Sequence, residues 1–159
     1  MTVTKTAEDA IQALREVARG REDFVYRNSD DYEMTQSCVN WTRVNSTEDS
    51  PGGWHASCIV GHVLTLWGFP EGQKVSCESA GIGAVRDELQ DLADRGHPDA
   101  LFVLDGEALR VLGAAQNVQD DETARTWGDA LRAAEWQAQN PDLPVLANPV
   151  RTELISPDC

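Results

Sequence analysis

No apolar run in the 159-residue chain approaches the roughly 18 residues that would take a helix across a bilayer, so no membrane partner is expected. The opening MTVTKTAEDA has no apolar stretch behind a basic one, the form of a secretory signal, and the expected location is the cytoplasm. Basic residues are scarce, 13 against 27 acidic ones, and the net charge of −14 makes direct binding to a phosphate backbone unfavourable. A basic protein surface fits that charge better. Cysteines number four, Cys38, Cys58, Cys77 and Cys159, with Cys159 in a proline-containing tail that no core obviously holds. Free thiols in a reducing compartment are therefore expected rather than a disulfide framework.

The residues present divide into helical and non-helical stretches. In TAEDAIQALREVARG, Thr6 can cap, Asp9 is the third helical residue, and Ile11, Leu14 and Val17 recur at helical spacing up to Gly20, which predicts a helix from Ala7 to about Arg19. FVY at 24–26 and SCVNWTRV at 37–44 favour strands joined by a polar connection, a small hairpin. The turn-rich NSTEDSPGGW leads to a short, nearly all-apolar helix through Ile59, Val60, Val63 and Leu64, with Ser57 as the expected cap and Gly68 and Pro70 as stops. Ile82, Val85, Leu89 and Leu92 trace the buried stripe of a surface helix that GIG at 81–83 opens, and its outer face is acidic. Asp105 and a Thr126–Asp129 capping box start two more helices, and the polar Gln116, Gln119 and Asp120 near the end of the first of them read as solvated, turn-capping residues. The expected fold is α+β and mainly helical: one globular domain over 1–140 with about five helices and a small β-hairpin, then an extended proline-containing tail over 141–159.

The densest chemistry lies in GGWHASCIVGHVL, which places two of the three histidines and a cysteine within eight positions. At a helix start, Cys58 would have a stabilised thiolate, and His62 or His55 could act as its base in a Cys-dependent hydrolase or transferase. No later His, Asn or Asp motif completes that arrangement, since His97 stands in an ordinary turn. A zinc site is the second possibility: Cys58 and His62 share a helical face, His55 is three residues before Cys58, and Cys38 or Cys77 would complete four ligands of a small zinc-stabilised binding module. The third reading makes Cys58 a small buried hydrophobe, has Gly61 admit a close neighbour and His62 donate to a backbone carbonyl; it requires no cofactor and is the preferred one.

The pair of motifs SCIVGHVLTLWGFPE and AAQNVQDDETARTWGDAL, within a stretch from about Cys38 to Ala134, resembles small proteins of actinobacteria and their phages. The resemblance carries no catalytic residues. It implies a phage or phage-derived accessory protein working in the host cytoplasm, whose acidic surface engages a host protein. With acidic clusters at Asp30–Asp31, Asp87–Glu88, Asp91 and Asp120–Glu122, the expected partner is a host protein with a basic, nucleic-acid-binding surface, which the chain would occupy as a nucleic-acid mimic or inhibitor.

Overall fold

The computed structural model describes residues 1–25, 40–49, 51–78, 80–119 and 126–145. Strand β1 (Val3–Lys5) runs into helix α1 (Ala7–Ala18), whose start is fixed by the expected capping box: Thr6 accepts from the Asp9 amide, and Asp9 accepts from the Thr6 amide. Asp9 is accordingly held below its usual pKa, first by its bond to the Thr6 backbone. Strands β2 (Trp41–Val44) and β3 (Gly53–Ala56) lead to α2 (Ile59–Leu66). A 3-10 turn (Glu71–Gln73) and the four-residue α3 (Lys74–Cys77) follow. Helix α4 (Ile82–Asp94), strand β4 (Phe102–Leu104), α5 (Gly106–Gln119) and α6 (Trp127–Gln139) complete the described chain.

The fold is mixed α+β and mainly helical, with six α-helices among the described residues. The hairpin exists, but with a different partner from the one expected: β2 pairs antiparallel with β3, Trp41 opposite Ala56 and Val44 opposite Gly53. The turn-rich stretch after Val44 is therefore the hairpin's own loop. Val25, assigned to the other strand, makes an isolated bridge to Thr126, and residues 26–39 lie outside the described residues. A second pair went unrecognised: β1 and β4 lie parallel, with Val3 opposite Phe102, Thr4 opposite Val103 and Lys5 opposite Leu104. Three-residue strands are too short for a periodic signal, and their pairing spans almost a hundred residues of chain.

The core forms where α1, α2, α5 and α6 meet, with α4 packed on α5 and β4. Leu14 of α1, Ile59 and Leu64 of α2, Leu112 of α5 and Trp127 of α6 are fully buried. Each aliphatic side chain among them contributes about 1.5–3 kcal/mol by leaving water. The α5–α6 seam is lined by small residues, Ala108, Ala114 and Ala115 against Ala130, Ala133 and Ala134, all buried, which lets the two helices approach closely. The stripe Ile82, Val85, Leu89 and Leu92 is buried as its spacing predicts, and Asp105 caps α5 by accepting from the Ala108 amide at 2.7 Å. The start of the expected tail is tied down: Arg110 and Gln137 both donate to the Leu143 carbonyl, at 2.9 and 3.0 Å. Residues 146–159 lie outside the described residues.

One contact sets the spacing of the centre. A Cβ built on Gly61 would sit 2.0 Å from the Asn40 carbonyl oxygen, so only glycine lets α2 lie against the chain entering β2. Gly61→Ala is expected to lower stability by about 3 kcal/mol or to prevent folding. Gly113→Ala, where the nearest atom would be an ordinary 3.6 Å away, is expected to cost nothing and to gain up to about 1 kcal/mol from helix propensity. Urea unfolding midpoints of the two variants check this.

Candidate functional site

Helix α2 begins one residue later than its sequence suggests. The cap is Cys58, not Ser57: its backbone is extended (φ −83°, ψ 168°) and its sulfur accepts from the Gly61 amide at 3.3 Å. Ser57 instead pairs its hydroxyl with that of Thr42 and donates its amide to the Asn40 carbonyl. The Cys58 thiol in turn donates to the Asn40 side-chain oxygen at 3.4 Å. It is fully buried, with both its donor and acceptor capacities used inside the protein.

Asn40 is the centre of a buried polar cluster. Its side-chain nitrogen donates to the Cys77 and Ala80 carbonyls, both at 2.9 Å, and its amide donates to the Glu78 carbonyl at 2.7 Å. Gln116 reaches in from α5, donating at 3.5 Å to Asn40 and to the Ala80 carbonyl, while its oxygen accepts from the Ile82 amide at 2.8 Å. Gln119, one turn on, accepts from the Ile59 amide at 3.5 Å. The two glutamines therefore satisfy the free N-terminal amides of α4 and α2, where the sequence suggested solvated turn residues. Side chains of α5 thus complete the caps of two helices distant in sequence. Asp120 lies outside the described residues. Gln119 also keeps a buried nitrogen with no partner, a cost of about 1–3 kcal/mol if left dry.

His62 points elsewhere. Its ring meets Trp127 edge-on at 5.3 Å, Phe24 meets the same indole at 4.8 Å, and the Arg21 guanidinium lies over it at 4.7 Å. The backbone holds this cluster in place, since Trp127 and Gly128 donate to the Phe24 and Glu22 carbonyls at 2.9 and 2.8 Å. Burial pushes the His62 pKa below its usual 6.5, and the nearby Arg21 charge pushes the same way. His55 is on the other element, exposed on β3 opposite Thr42. Cys58 at the cap and His62 stand one helical turn apart, the His62 amide donating to the Cys58 carbonyl at 3.0 Å, while the Cys58 sulfur is bonded to Asn40 and Gly61 and the His62 ring is packed on Trp127. Among the described residues no three of His, Cys, Asp and Glu gather as a metal site, and Cys38 lies outside them. Cys77 is a buried free thiol with its pKa raised, chiefly by burial.

A shallow depression beside α5 and α6, lined by Ala7, Arg110, Val111, Gln137 and Pro141, encloses no room even for a water molecule and is no small-molecule site. The sequence singled out Cys58, Gln116 and Gln119 but had no signal that Asn40 joins them, since the cluster gathers residues from the chain before β2, the α2 cap, the end of α3 and α5. The chain finds no match among family models, curated proteins or solved structures.

Three outcomes follow from this geometry. Native protein is expected to leave Cys58 unmodified by iodoacetamide at neutral pH, with alkylation only on unfolding. Cys58→Ala is expected to lose about 1 kcal/mol with the cap, read from its melting curve. For His62 the folded state resists a proton that the unfolded state accepts below about pH 6.5, so its contribution to stability falls as the pH drops through that value. The melting temperature of the wild type is expected to fall more steeply between about pH 7 and 5 than that of His62→Gln, whose carboxylates titrate alike.

Proposed function

We propose that the chain is a non-enzymatic, acidic binding protein that engages a basic surface of a partner protein, with its carboxylates standing where that partner would otherwise hold nucleic acid. The observation that carries this reading is the charge imbalance, 27 acidic residues against 13 basic and a net −14. The exposed side of α4 supports it. Asp87, Asp91 and Asp94 are exposed there, and the first two are paired with Arg86 and Arg95 at 2.7 and 2.6 Å on the protein's own surface. Exposed pairs of this kind are worth about 0–1 kcal/mol, so an incoming basic face exchanges them at little cost. The clusters at Asp30–Asp31 and Asp120–Glu122 lie outside the described residues.

The resemblance to phage and actinobacterial proteins is our ground for seeking the partner in a host cell and for reading the chain as an accessory protein. Thiol catalysis by Cys58 draws no support from its setting, because a nucleophile needs access and this sulfur is fully buried, bonded to Asn40 and Gly61 as a helix cap.

Affinity capture from host lysate tests the proposal. A partner is expected at about 50 mM salt and is expected to be lost at about 500 mM, where surface charges are screened within a few ångströms. Cys58→Ala, if folded, is expected to capture as the wild type does, whereas a triple Asp87→Lys, Asp91→Lys, Asp94→Lys variant is expected to lose at least about tenfold. Salt-independent capture, or capture abolished by Cys58→Ala alone, would overturn it.

A further inference from the structure

Among the described residues, the parallel pair β1–β4 has an open edge. The Val3 amide donates to the Leu101 carbonyl at 2.9 Å and the Asp105 amide donates to the Lys5 carbonyl at 3.1 Å, so residues 3 and 5 turn their backbone toward β4. Thr4 lies between them, and strand alternation turns its N–H and C=O the opposite way, to the outside. Thr4 is exposed, and no described residue bonds to its backbone. The usual protections of an edge strand are missing from β1: it has no proline or bulge, and its one charge, Lys5, lies at 5.3 Å over the Trp67 ring.

What surrounds this edge specifies what would fit it. Val3 and Leu101 are 50% and 52% exposed; the Leu101 side chain lies against Gly68, and the neighbouring Trp67 is half-buried, its ring edge-on to Phe102 at 5.5 Å. Both strands run directly into helices with acidic first turns, Glu8 and Asp9 in α1 and Glu107 in α5. Glu8 and Glu107 are exposed and, among the described residues, are paired with no cation. The edge thus offers main-chain hydrogen bonds, an apolar strip and unpaired negative charge at one end.

We propose that the free edge of β1 is a docking strand for an extended segment of a basic partner, alternating apolar and basic residues and pairing its backbone with that of Thr4. Its apolar side chains would cover Val3, Leu101 and Trp67, and a terminal basic side chain would reach Glu8 and Glu107. Strand addition of this kind draws affinity from backbone bonds and specificity from alternate side chains. A second copy of the chain is the poorer occupant, since each copy carries −14. This docking mode rests on the binding function proposed above and gives it a location.

The test uses the full chain and a capped heptapeptide alternating valine and arginine, with amide exchange at Thr4 as the readout. At low salt the peptide is expected to slow exchange at Thr4 at least about tenfold, and a valine–glutamate peptide is expected to have no effect. Thr4→Pro deletes the outward N–H and leaves the bonds of Val3 and Lys5 to β4 in place, so binding of the fluorescently labelled peptide, read by its anisotropy, is expected to be abolished with the melting temperature nearly unchanged. Val3→Lys, which keeps the whole backbone, is the second variant and is expected to weaken binding at least about tenfold. The docking strand is overturned if the valine–arginine peptide leaves Thr4 exchange unaltered, if both variants bind it as the wild type does, or if the free chain sediments as a dimer with Thr4 already protected. Should salt-sensitive capture from lysate persist in Thr4→Pro, the edge is rejected and the acidic binding function stands; loss of capture in the α4 variant alone points to that face instead.

Discussion

Asn40 connects four stretches of chain that are far apart in sequence. Its backbone carbonyl receives the Ser57 amide and presses against Gly61, its side chain holds the carbonyls of Cys77 and Ala80, and its oxygen receives the Cys58 thiol and the Gln116 amide. The residue is fully buried, so each bond forms where water cannot compete and each unmade bond would carry the full cost of desolvation. The hairpin, the start of α2, the end of α3 and the approach to α4 are all positioned by this one side chain and its backbone.

That constraint decides the chemistry of the Cys–His segment. Because the chain entering β2 lies against Gly61, the Cys58 sulfur is drawn into the polar cluster and becomes a cap, while the ring of His62, one turn on, packs against Trp127. Two residues that look like partners in sequence therefore have different neighbours in the core. The Cys58 sulfur that the sequence offers as reactive is used to satisfy a helix terminus.

The two small sheets follow from the same economy of contacts. Among the described residues neither has more than two strands, and each leads into helices: α2 follows β3 directly, and β1 and β4 feed α1 and α5. A two-stranded sheet is marginal alone. Here Trp41 stacked on Phe69 at 4.6 Å, and Phe102 against Trp67, anchor one strand of each to the helical core and leave the other strand near the surface.

The sequence by itself determined what depends on neighbours within about one helical turn. The Thr6–Asp9 and Thr126–Asp129 boxes, the Asp105 cap, the stop at Gly68 and the buried stripe of α4 all appear where spacing puts them, because a cap or an amphipathic stripe is a local property. The tight neighbour of Gly61 was also foreseen as a kind of contact, though not as Asn40. Only the tertiary structure decided which strand pairs with Trp41–Val44, that Val3–Lys5 lies beside Phe102–Leu104, that Gln116 and Gln119 cap helices other than their own, and that Cys58 binds Asn40 while His62 packs on Trp127. These join residues from nine to about a hundred positions apart, and such pairings leave no periodicity in the chain; they exist only once the apolar faces have chosen their partners.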